Sequence, residues 1–70
     1  MYIDYSISIP KKLPSILKED IEALEKAYEK NDELTWDLYI DGFEASVKQF
    51  YCSGYFTKKE ALQLMSRYGI

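Results

Sequence analysis

Apolar residues recur along this chain with two different periods, and the change of period divides it. Over residues 1–9 they alternate: Met1, Ile3, Tyr5, Ile7 and Ile9 fall on one side, and Tyr2, Asp4, Ser6 and Ser8 on the other. Period two with β-branched and aromatic residues predicts a strand or extended arm. Pro10, which has no amide hydrogen to donate, ends it. A lone strand leaves backbone groups unpaired. The arm is expected to pack on the chain's own bundle in a monomer, with three other possibilities to consider: the short SGYF stretch around Tyr55, the arm of a second copy in a homodimer, or a separate partner.

Beyond Pro10 the spacing becomes helical. Leu13, Leu17, Ile21, Leu24 and Tyr28 form one stripe, predicting a first helix over 14–30 with Pro14 in its opening turn. Asn31-Asp32 breaks the pattern, and Asp32 suits an N-cap. A second helix is predicted over 33–51. Its broad apolar face carries Trp36, Tyr39, Ile40, Phe43, Val47 and Phe50, and Leu34, Leu38, Gly42, Ala45 and Cys52 make a second face of mostly smaller residues. Two apolar faces predict a central helix with neighbours on both sides, and Gly42 a close approach of another element.

Ser53-Gly54 closes that helix. Thr57-Lys58-Lys59-Glu60 reads as a capping box, with Phe56 and Ala61 as its hydrophobic staple. A third helix follows over 57–68, with Ala61, Leu64, Met65 and Tyr68 inward. Residues 1–70 are therefore expected to be one all-α domain, a compact three-helix bundle with an extended N-terminal arm.

Composition narrows the chemistry. Apolar residues make up 47% of the chain, which argues against disorder. Histidine is absent and Cys52 is the lone cysteine, so neither a disulfide within the chain nor a Cys/His zinc site is available. Cys52 lacks a histidine partner and is expected to be a small packing residue. No apolar run reaches membrane-spanning length, and the first ten residues do not resemble a signal peptide. A cytoplasmic location without membrane contact is the expectation.

Asp37 and Asp41 lie one turn apart, as paired acids in some enzymes do, but a bundle this small has little room for a cleft. The acids also lack calcium-loop spacing, and no glycine-rich phosphate loop exists. The expectation is a non-enzymatic protein without cofactor or metal.

Charge is unevenly distributed. Residues 19–44 carry ten acids and two bases, whereas residues 1–18 and 45–70 are mildly basic. Glu33, Asp37, Asp41 and Glu44 form a ridge along the second helix. Helix 1 adds Glu19, Asp20, Glu22, Glu25 and Glu29. A row of like charges at i,i+4 spacing costs stability that mixed signs would not. This points to a protein-interaction module whose ridge meets a basic partner, such as a nucleic-acid-handling protein. Tyr51 and Tyr55, outside the main stripes, are candidates to add contact area. A weak DNA-binding regulator using Lys58, Lys59 and Arg67 of the third helix is the alternative, although its positive field is small.

Three features run through residues 28–69. They are N-D-x-L at Asn31 to Leu34, D-x-x-x-D-x-F-E-x-S-V-K at Asp37 to Lys48, and G-x-x-T-x-x-E at Gly54 to Glu60. In these the chain resembles small uncharacterised proteins of Gram-positive gut bacteria that often accompany mobile elements. The resemblance implies a regulatory or accessory role and assigns no functional residues.

Overall fold

Three helices form where the periodicity places them: α1 (Ser15–Glu29), α2 (Glu33–Cys52) and α3 (Lys58–Arg67). The computed structural model describes all 70 residues and contains no strand. The fold is an all-α three-helix bundle.

Each helix stop is written in local chemistry. Pro14 is the N-cap of α1 rather than its first residue, and its carbonyl accepts from the amides of Leu17 and Lys18. At the other end of α1, Asp32 N–H donates to the Ala27 carbonyl at 2.8 Å and Asn31 N–H to Tyr28. This is a Schellman closure, and it requires the left-handed φ of 55° that Asn31 adopts. Asp32 then caps α2, accepting from the amide and hydroxyl of Thr35. Those two bonds hold its carboxyl below the usual carboxylate range.

The same closure recurs after α2, where Tyr55 N–H reaches the Phe50 carbonyl, and after α3, where Ile70 N–H reaches Met65. Gly54 and Gly69 supply the positive φ at these two ends. Gly69 is constrained a second time, because a Cβ there would meet the Tyr2 ring at 3.0 Å. The capping box of α3 is complete in both directions: Glu60 N–H donates to Thr57 Oγ1, and Thr57 N–H to Glu60 Oε1. Phe56 and Ala61 are both buried beside it.

The core gathers Leu17, Ile21, Leu24 and Ala27 from α1, Trp36, Phe43 and Val47 from α2, and Ala61, Leu64 and Tyr68 from the α3 end. Tyr68 lies edge-on to Phe43, with ring centroids 5.0 Å apart. α1 and α3 each pack on α2 but not closely on one another. The N-terminal arm bridges them. Asp4 N–H donates to the Arg67 carbonyl, Tyr5 lies against Tyr28 of α1, and Ile3 is buried in the core. The Cα radius of gyration of 11.3 Å matches the roughly 11 Å of a compact chain this long, so the arm does not project.

Three expectations change. The arm is not an alternating strand. Ile7 N–H folds back to the Asp4 carbonyl, and the Asp4 side chain accepts from Ser6, so residues 4–7 form a turn. Ile3 and Pro10 are buried, while Met1 and Tyr5 are exposed. The arm pairs with neither the Tyr55 segment nor any strand.

The second apolar face of α2 has no neighbour. Leu34 is 74% exposed and Leu38 72%, Ala45 and Cys52 face solvent, and nothing approaches Gly42 within 4 Å. With only two other helices, both on the Trp36–Phe43–Val47 side, nothing is left to cover it. Arg67, expected on an open face of α3, is 7% exposed. Its Nη1 donates to the Ile7 carbonyl at 2.6 Å, its Nη2 lies 3.6 Å from Glu25 of α1, and its guanidinium sits 5.2 Å from the Tyr5 ring centroid.

Three measurements check this architecture. Phe43 is fully buried, so Phe43→Ala should cost about 3–5 kcal/mol out of roughly 5–15 for a whole domain. A broad, low-temperature melt is expected. Thr57→Ala should cost about 0.5–2 kcal/mol and speed amide exchange in α3 before the other helices. Arg67→Met should cost about 1.5–3 kcal/mol through the lost charge-assisted bond and open residues 1–9 to proteolysis. Arg67→Lys, without the guanidinium fork, should restore little of it. An unchanged melt and cleavage pattern would mean that apolar contacts alone anchor the arm.

Candidate functional site

The outer face of α2 combines the predicted acidic ridge with the apolar residues left uncovered. At 100° per residue, Leu34, Asp41, Ala45 and Cys52 lie within about 40° of one another, opposite Trp36 and Phe43, with Leu38 beside them. Glu33, Asp37 and Asp41 are exposed along one edge of this strip. Glu33 to Glu44 spans about 16 Å. Glu44 is half-buried and bonded to Lys48 at 2.8 Å, so the ridge has three carboxylates without an ion-pair partner and one with. Leu34 and Leu38 were missed as site residues because helical period assigned them to a core face. The signal against that assignment was the count of helices.

The structure does not join the acids of α1 to this ridge. Glu19 and Glu22 line an open cleft against Thr35 and Tyr39, with Lys26 and Lys30 interspersed. Thr35 and Tyr39 lie roughly 120–200° around α2 from Asp37 and Asp41. Glu25 is engaged with Arg67. Partial burial raises the Asp20 carboxyl, and the charge of Glu19 adds to the shift.

The tyrosines separate too. Tyr51, 42% exposed, lines a shallow groove between α2 and α3 with Lys48, Lys58, Ala61, Leu62 and Met65. Tyr55, 48% exposed, stacks edge-on against Phe50 and Phe56 at the α2–α3 corner. Tyr28 and Tyr39, expected in the core, are 37% and 42% exposed, whereas Tyr68 is buried and its phenol is pushed up by that burial. Cys52, expected to pack, is exposed at the end of the uncovered face.

Of the three bases expected to face a nucleic acid, Lys58 and Lys59 are exposed, but Arg67 is buried under the arm. No cluster of three or more His, Cys, Asp or Glu side chains is placed to hold a metal ion. No helix is long and apolar enough to cross a membrane. No family model, curated protein or solved structure matches the chain.

Proposed function

We propose that this chain is a small, non-enzymatic protein-interaction module whose working surface is the outer face of α2. The observation that carries the reading is the exposure of Leu34 and Leu38, 74% and 72%, one turn apart and interleaved with Asp37 and Asp41. Isolated surface leucines need no explanation. Two aligned anchors on a helix that continues through small Gly42 and Ala45 form a helix-in-groove surface. The carboxylates along its edge specify the groove: apolar at its base, with basic side chains on its rim.

Support for binding nucleic acid directly is weaker, because α3 presents two free bases rather than three and the acidic edge of α2 opposes a phosphate backbone. A regulatory or accessory role on a mobile element would fit a module that works by occupying a basic surface of another protein.

The test compares the intact chain with Leu34→Ser/Leu38→Ser. Both side chains are largely in solvent, so the melt should move by no more than about 0.5 kcal/mol. Capture of a protein partner by the immobilised chain should fall at least about tenfold and weaken with salt. Equal capture by the two proteins would overturn the reading. A duplex gel shift that survives moderate salt would favour α3 as a nucleic-acid surface.

A further inference from the structure

We infer that the outer face of α3 is a second docking surface, and that its occupant is an acidic amphipathic helix of another protein. The inference does not rest on the outer face of α2. At 100° per residue, Lys58, Leu62 and Ser66 follow one another along α3, and Leu62 points away from buried Leu64. A groove opens on each flank of this row. One lies toward the arm, against Ile7, Lys59 and Gln63. The other lies toward α2, against Lys48, Tyr51 and Met65. Lys58 and Leu62 line both grooves, so the two form one surface with half-exposed Leu62 as the ridge between them. Its arm-side wall is held in place, because the Ile7 carbonyl accepts from Arg67 Nη1 at 2.6 Å.

Charge on this surface has one sign. Neither groove has a carboxylate in its lining. Lys58 and Lys59 are exposed and have no ion-pair partner, and Glu60, the one acid of α3, is tied to the Thr57 amide. Both lysines stand in the first turn of α3, where the positive end of the helix dipole disfavours cations. A carboxylate arriving there meets two ammonium groups and the dipole together. Lys48 holds Glu44 and has further donors to offer. The ridge sets the apolar part of the occupant. Two apolar side chains three or four residues apart on a helix lie on one face and straddle Leu62, one in each groove. A phosphate backbone would use the lysines, leave the grooves unfilled and find few free bases. A membrane surface calls for a wider apolar face than one leucine ridge. A small molecule in grooves this open would stay largely in solvent.

The probe is a display library of random peptides of about 15 residues, long enough to become helical on binding, selected on the immobilised full chain. Enriched sequences should include an acidic class with two apolar residues three or four apart. The affinity of that class should fall at least about tenfold in Leu62→Ser and in Lys58→Glu/Lys59→Glu, and should weaken as salt rises. Selection on the charge-reversed chain should lose the class. Leu62 is half exposed and both lysines are in solvent, so these variants should melt close to the natural chain. Leu34→Ser/Leu38→Ser should bind the acidic peptides as the natural chain does, which separates this surface from the outer face of α2. The inference is overturned if no acidic class is enriched, if the charge-reversed chain retains it, or if its binding ignores Leu62. It is also overturned if duplex DNA or anionic-lipid vesicles bind through Lys58 and Lys59 and acidic peptides do not compete. A dimer of the chain that Leu62→Ser abolishes would overturn it too, by making a second copy the occupant.

Discussion

An arginine that is only 7% exposed must find partners for its fixed fork of N–H donors, because a buried, unpaired charge costs several kcal/mol. The partners of Arg67 come from every part of the chain except α2. The Ile7 carbonyl and the Tyr5 ring come from the arm, the Glu25 carboxylate from α1, and the Tyr68 hydroxyl, a longer 3.4 Å contact, from the end of α3. Because the backbones of α1 and α3 stay apart, this charge and the arm above it complete the third side of the bundle. The requirement also shapes the arm. A turn at Asp4–Ile7 presents the Ile7 carbonyl to the guanidinium, and no buried side-chain polar atom is left without a partner.

The helices were legible because their limits are set by neighbours in sequence. Asp32 and Thr57 cap with their own side chains, Asn31 and Gly54 take the left-handed turn, and Pro14 marks a start. These are short-range contests that residue type decides. The arm was not legible in the same way. Alternation over nine residues suits a strand only if another strand is there to pair with it. Without one, the Asp4 side chain bonding Ser6 outcompetes extension. The burial of Arg67 depends on residues sixty positions away and has no local signature.

The candidate site was half legible. Glu33, Asp37 and Asp41 stand in solvent where helical phase puts them. Period cannot count neighbours, however, and the residues that turn an acidic edge into a docking surface, Leu34 and Leu38, were assigned to a buried face. The same limit applied to charge. The acids of α1 and α2 are continuous in sequence yet fold onto different flanks of α2, with Thr35 and Tyr39 on one and Asp41 on the other.

What folding does to charge is to grade it along α2. Carboxylates occupy the N-terminal half, where the helix dipole offsets part of their repulsion, and Lys48 stands near the C-terminal end with Lys58 close beside it. The benefit of the dipole is confined to the first turn, where Glu33 stands, so Asp37 and Asp41 keep most of their mutual repulsion. Burying the opposite, Trp36–Phe43–Val47 face in the bundle leaves that graded strip outward with its leucines. The carboxylates of Glu33, Asp37 and Asp41 are therefore held outward by core packing on the opposite face of α2, not by any ion pair of their own.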